Sequence, residues 1–160
     1  MELLPIRKIC CPTDFSEPSY AALKKAEELA LHFSAELSVV HVVSPIPIIP
    51  LHDDPSSFNL PLYEKEMEQN AVKALDQIRN EKLSKRIDCH VHVLQGDPAG
   101  RIVHFAQTGE ADIIVIATHG FTGWRKFMFG SVTEKVIRMA MCPVLSIRLH
   151  GVDKGHEAQA

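Results

Sequence analysis

The chain has 160 residues, of which 46% are apolar and 23% charged, with a formal net charge of −3. This is the composition of one soluble globular domain, and it lacks the basic surplus of a nucleic-acid binder. No apolar run approaches the roughly 20 residues of a membrane helix, and Met1-Glu2-Leu3-Leu4-Pro5 is unlike the start of a signal peptide. The expectation is a cytoplasmic protein with no nucleic-acid and no membrane partner.

Residues 6–13 (IRKICCPT) read as a first strand stopped by Pro12. Cys10 and Cys11 within it point to opposite faces of a sheet. With Cys89 and Cys142 standing alone and no Cys-x-x-Cys pair, the four cysteines make neither a disulfide scaffold nor a zinc site, and buried inert thiols are expected. Ser16-Glu17-Pro18 is a helix-start signal. The helix that follows places Ala22, Ala26, Leu29, Ala30 and Phe33 on one face and Lys24, Lys25, Glu27 and Glu28 on the other. Residues 36–43 (ELSVVHVV) are short and β-branched, a second strand.

Prolines at 45, 47, 50, 55 and 61 make residues 44–61 a loop, long enough to suggest a flap or an interface segment. From Leu62 to about Ser84 the period is helical, with Met67, Ala71, Ala74, Leu75 and Ile78 on one side. Residues 88–94 (DCHVHVL) form a third strand, and Gly96-Asp97-Pro98 opens a helix with Ala99, Ile102, Val103 and Ala106 inward. Residues 112–118 form a fourth strand whose unbroken apolar run predicts burial on both faces. Residues 131–140 form a helix with Val132, Val136, Ile137 and Ala140 aligned. Pro143 stops it, and residues 144–148 make a fifth strand. One α/β domain over residues 1–150 and a polar, fraying tail over 151–160 are expected.

Strict alternation of strands and helices argues for a doubly wound five-stranded parallel sheet with helices on both faces. In such sheets a ligand sits outside the carboxyl ends of the strands, where strand order reverses. Order 3-2-1-4-5 would set Pro12-Thr13-Asp14 against Ala117-Thr118-His119-Gly120. Order 2-1-3-4-5 would give more weight to Gly96-Asp97-Pro98. The glycines, hydroxyls and basic residues gather after the fourth strand, in ATHGFTGWRKFMFGSVTEKV (residues 117–136), which favours the first order.

That stretch has the parts of a phosphate cradle. Gly120 and Gly130 allow close backbone approach or a positive φ. Gly130-Ser131 stands at a helix start, where free N–H groups and the positive dipole end attract anions. Ser131 and Thr133 add hydroxyls, Arg125 and Lys126 add positive potential, and Asp14 suits a ribose hydroxyl or a metal bound to phosphates. The plainer alternative is a glycine cap in an ordinary strand–helix loop.

Other chemistries lack their signatures: there is no Walker pattern, no G-x-G-x-x-G after the first strand, and no G-x-S-x-G elbow. His90 and His92 share one strand face, with no third metal ligand in view. His41 is expected to pack within the second strand, with the backbone of Val42 opening toward the crevice. His119 either donates to phosphate or orients the loop. Trp124, Phe127, Met128 and Phe129 read as core or subunit contact.

With these motifs in hand, the chain resembles the universal stress protein family. The resemblance runs through CCPTDFSEPSYAALKKAEELA, LSVVHVV, GDPAGRIVHFAQTGEADIIVIATHG and FGSVTEKVIRMAMCPVLSIR. Members of its ATP-binding subgroup show Gly-x-x-Gly, nine residues, then Gly-Ser or Gly-Thr. Here Gly120, residues 121–129 and Gly130-Ser131 keep the second half, and Ala117 replaces the first glycine, adding one methyl group.

The resemblance implies sheet order 3-2-1-4-5 and ATP, with Mg2+, as cofactor. It sets Pro12, Thr13 and Asp14 on the adenosine side, with Asp14 near the ribose, and Val42 against the adenine through its backbone. Ile116 and Ala117 would line the pocket floor, and His119, Gly120, Gly130, Ser131, Val132 and Thr133 would surround the phosphates. It also implies a homodimer through the last strand, Val144 to Ile147. A nucleotide-responsive stress protein without a catalytic residue is the resulting expectation. A nucleotide-free interaction module, or slow ATP hydrolysis, is the alternative.

Overall fold

The computed structural model describes residues 5–45, 60–118 and 130–149. His119, Gly120, the basic and aromatic residues 124–129, most of the proline-rich loop and the tail therefore lie outside the described residues. The elements run β1 (Lys8–Pro12), α1 (Glu17–Phe33), β2 (Glu36–Val43), α2 (Leu60–Gln77), β3 (Cys89–Gln95), α3 (Pro98–Thr108), β4 (Ile113–Ala117), α4 (Ser131–Met139) and β5 (Val144–Ile147). The strands form one five-stranded sheet of order β3-β2-β1-β4-β5, parallel throughout. The expected fold class and order are therefore both observed.

Strand alternation feeds two cores. On one face Cys11, Leu37, Val39 and Val115 pack with Leu23, Ala26, Leu75 and Ile78 of the α1 and α2 side. On the other, Cys10, Val40, Ile114 and Ile116 pack with Ala99, Ile102, Val103 and Val136 of α3 and α4. Cys10 and Cys11 thus face opposite ways, as period-2 geometry requires, and all of β4 is buried. Cys89 and Cys142 are only half-buried, though all four thiols are free.

The helix ends follow their local chemistry. Ser16 caps α1 by accepting from the Ser19 amide, and Asp97 caps α3 by accepting from the Gly100 amide at 2.9 Å. Asp112 fixes the start of β1, its carboxylate accepting from the Arg7 and Lys8 amides at 2.7 and 2.9 Å.

Some expectations need correction. Pro61 belongs to the first turn of α2, not to the loop before it, because an N-terminal turn does not need the missing amide hydrogen. A π-helical turn, Ile78–Lys82, ends that helix. Met67 and Ile137 have the right spacing for their apolar stripes, yet they are 40% and 41% exposed. Periodicity names a face but not how far the neighbouring element covers it.

Candidate functional site

The β1–β4 pairing is short. Ile9 and Cys10 pair with Ile113 and Ile114, whereas β1 pairs with β2 along its whole length, up to Pro12 against Val40. The cause lies in one residue. The Thr13 amide donates to Val40 of β2 at 2.8 Å, so by alternation the nitrogen of Pro12 faces β4, and it carries no hydrogen. The ladder on that side ends, and the two strands part at the point where the sheet changes winding direction, the place where such folds hold ligands.

The opening is a cleft of about 270 Å³. It brings together Pro12, Thr13, Asp14, Val42, Ile116, Ala117, Gly130, Ser131, Val132 and Thr133, all of which the sequence singled out. His119 and Gly120 lie outside the described residues. Ser19, Val40, His41, Ser44, Pro98 and Ile102 also line the cleft and were missed as site residues. In the sequence, the helix start at Gly96-Asp97-Pro98 carries weight only under the other strand order. In fact α3 leans against α4 and turns its first residues into the same space.

The Asp14 wall is held from several sides. Thr13 is buried, and its hydroxyl pairs with that of Ser19 at 3.0 Å and accepts from the Phe15 amide at 3.1 Å. One Asp14 carboxylate oxygen accepts from the amide and hydroxyl of Ser16. Phe15 adopts a φ of 64°, a left-handed conformation that side chains other than glycine adopt at a cost. Its ring lies 4.4 Å from that of His41, and His41 Nδ1 donates to the Thr13 carbonyl at 2.9 Å.

The opposite wall is the start of α4. Gly130, at φ −58° and ψ 149°, is its N-cap and offers no side-chain hydrogen bond. Among the described residues, the first-turn amides of this helix therefore have no side-chain cap like those of Ser16 and Asp97. Extended geometry at Gly130 also means that a positive φ is not the reason for glycine here. Its amide donates to the Thr118 carbonyl at 2.7 Å, drawing the start of α4 back to the end of β4. Thr133 is buried and donates its hydroxyl to the Ala117 carbonyl at 2.7 Å, so that hydrogen braces the wall and is not offered to a ligand. Ser131 is exposed and lines the cleft. Ala117 has no positive φ, so its methyl group strains no backbone.

The thiols take no part. Burial pushes the Cys10 thiol up to about 12, with Cys142 adding to the effect, and raises Cys11 further. Cys89 rises to about 11, mainly through burial. At the other end of the strands, Glu36, Asp88 and His90 bring one donor atom each within 4.8 Å of one another on the surface. His92 is not part of this group and lies against Phe105, ring centroids 4.7 Å apart. Among the described residues no helix is long and apolar enough to cross a membrane.

Against known proteins, the model of the Universal stress protein family matches residues 5–148. Universal stress protein MJ0531 of Methanocaldococcus jannaschii is 35% identical over 142 residues, which cover 89% of this chain and 82% of that protein. Among solved structures, MJ0577 of the same organism superposes with a TM-score of 0.72 at 26% identity, covering 92% of this chain and 99% of that one. The universal stress protein from Archaeoglobus fulgidus in complex with dAMP shares the fold, with a TM-score of 0.58, 24% identity and coverage of 89% and 98%.

Proposed function

As this chain belongs to the universal stress protein family, we propose that it binds ATP, with Mg2+, in the cleft between β1 and β4 and acts as a nucleotide-responsive homodimer in stress response. The observation that carries this reading is the pairing of two unlike walls across one cleft. Asp14 sets a carboxylate on the β1 side, and the first turn of α4, with no side-chain cap among the described residues, sets amide donors and a positive dipole end on the other. A ligand with ribose hydroxyls at one end and phosphates at the other matches both. The complex of the A. fulgidus protein with dAMP lends support, since that protein holds an adenine nucleotide on the same fold.

Pro12, Val40, Val42, Ile102, Ile116 and Ala117 give the apolar surface for the base, and Gly130, Ser131 and Val132 the phosphate end. For His119 and Gly120, which lie outside the described residues, a phosphate-binding role rests on the family resemblance. No residue is assigned a catalytic role: ATP is bound, not turned over. For the dimer, β5 is an edge strand, with Leu145 exposed on it and exposed Met141 and Leu149 on either side. An unpaired edge of this kind favours pairing with a second copy.

The test is the nucleotide content of freshly purified protein, released by denaturation and chromatographed, together with thermal melts with and without Mg-ATP. A ligand of the folded state raises stability by about 2.7 kcal/mol at a hundred times its dissociation constant. Bound ATP or a clear upward shift is expected, reduced in Asp14→Ala and Gly130→Val. Protein free of nucleotide, with no shift, refutes the reading and turns attention to an interaction module.

A further inference from the structure

We propose that His41 is a positioning residue that sets the nucleotide's sugar contact by holding the backbone turn that carries Asp14. This inference rests on the nucleotide reading above and deepens it. The residue lies in β2, one strand away from Asp14, and no sequence motif points to it.

A carbonyl oxygen can only accept, so the 2.9 Å contact between His41 Nδ1 and the Thr13 carbonyl requires a proton on Nδ1. The imidazole donates there whether neutral or protonated. The Thr13 amide is anchored separately on Val40 of the same strand, at 2.8 Å. Thr13 is thus tied to β2 through both its backbone groups, by Val40 on one side and the ring of His41 on the other. The next residue in the chain is Asp14, and the one after it, Phe15, lies in the left-handed region with its ring over the same imidazole. Two contacts with His41, one polar and one between tilted rings, therefore hold the residues on either side of Asp14.

The geometry has a consequence for specificity. Without the Nδ1–H donor, the Thr13 carbonyl loses its partner and Phe15 loses one restraint on an unfavourable φ. The backbone that presents Asp14 then loosens on both sides, with the Ser16 amide and hydroxyl still holding its carboxylate, while the α4 end is unchanged. Nucleotides whose sugar hydroxyls meet Asp14 should lose more affinity than those lacking the hydroxyls.

The experiment compares ATP with 2′,3′-dideoxy-ATP by calorimetric titration of the full chain and of His41→Phe, His41→Asn and His41→Gln, with folding checked by circular dichroism. The parent is expected to prefer ATP by about tenfold, the worth of one good hydrogen bond. His41→Phe keeps a ring beside Phe15 and is expected to lose that preference, because any change at its place in the cleft lining falls equally on both nucleotides. His41→Asn, whose amide nitrogen can stand in for Nδ1, is expected to retain it. If His41→Phe fails to fold, His41→Gln, whose amide reaches too far for the Thr13 carbonyl, takes its place. Equal loss of both nucleotides, an unchanged preference in His41→Phe, or a parent without preference overturns the assignment. A parent that binds neither nucleotide removes the underlying reading as well, which separates the two failures.

Discussion

The hydroxyl of Thr133, in the first turn of α4, donates to the carbonyl of Ala117 at the end of β4 across 2.7 Å. The Thr118 amide donates to Ile147 of β5 at 2.9 Å, so by alternation the backbone of Ala117 turns toward β1. There the ladder has already ended, and among the described residues no strand partner remains for its carbonyl. A hydroxyl sixteen residues on supplies one and fixes the helix that forms the other wall of the cleft.

Thr133→Val keeps the shape and removes the donor. It leaves a buried carbonyl unsatisfied, which costs about 1–3 kcal/mol. Urea unfolding should show that loss, and ATP affinity should fall with it because the start of α4 is no longer fixed. A variant as stable as the parent would mean that water or a shifted backbone satisfies Ala117.

Glu27 ties α1 to the chain that follows the π-helical turn. It is only 9% exposed, and its carboxylate accepts from the Ser84 amide at 2.6 Å and from Lys24 at 2.9 Å. Glu27→Ala strands the Ser84 amide and removes the anchor, with an expected loss of about 1–3 kcal/mol in chemical denaturation. Glu28→Ala, whose Lys25 partner is exposed on the same helix, should change stability by less than about 0.5 kcal/mol.

Ser34 ends α1 at φ 54°, with its amide donating to the Ala30 carbonyl. This left-handed position suits glycine, and a side chain there costs roughly 1 kcal/mol. Because Ser34 is exposed, Ser34→Gly should raise the melting temperature by a few degrees. An unchanged or lower melting temperature would show that the added freedom of the unfolded chain cancels the gain.

Buried thiols predict the sign of an alkaline effect. Burial raises Cys10 from 9.0 to about 12 in the folded protein. The unfolded chain therefore ionises first, and the stability tied to this thiol is complete below pH 9 and is lost as pH rises toward 12. Urea midpoints at pH 8 and pH 10.5 should fall for the parent, and fall less for Cys10→Ala. Equal pH dependence in both proteins would contradict the assignment.

Signals that depend on a few neighbouring residues were legible in the sequence. Ser16 with Pro18 and Asp97 with Pro98 mark helix starts because a side-chain oxygen and an early proline answer the needs of the first turn. The apolar run of β4 announces burial on both faces, and alternation of strands and helices leads to the parallel sheet. Gly130-Ser131 at a helix start marked one wall of the cleft, and Pro12-Thr13-Asp14 the other.

Tertiary structure decided what depends on residues far apart in the chain. Met67 and Ile137 keep the helical period but stay exposed, since coverage depends on where the neighbouring elements end. Pro98 and Ile102 line the cleft only because α3 crosses the sheet and packs against α4. His41 looks in sequence like one more residue of an apolar strand. Only the register of β2 against β1 brings its Nδ1 to the Thr13 carbonyl. Local hydrogen-bond chemistry and hydrophobic period can be read from the chain in order, whereas a long-range partner is chosen by the folded geometry.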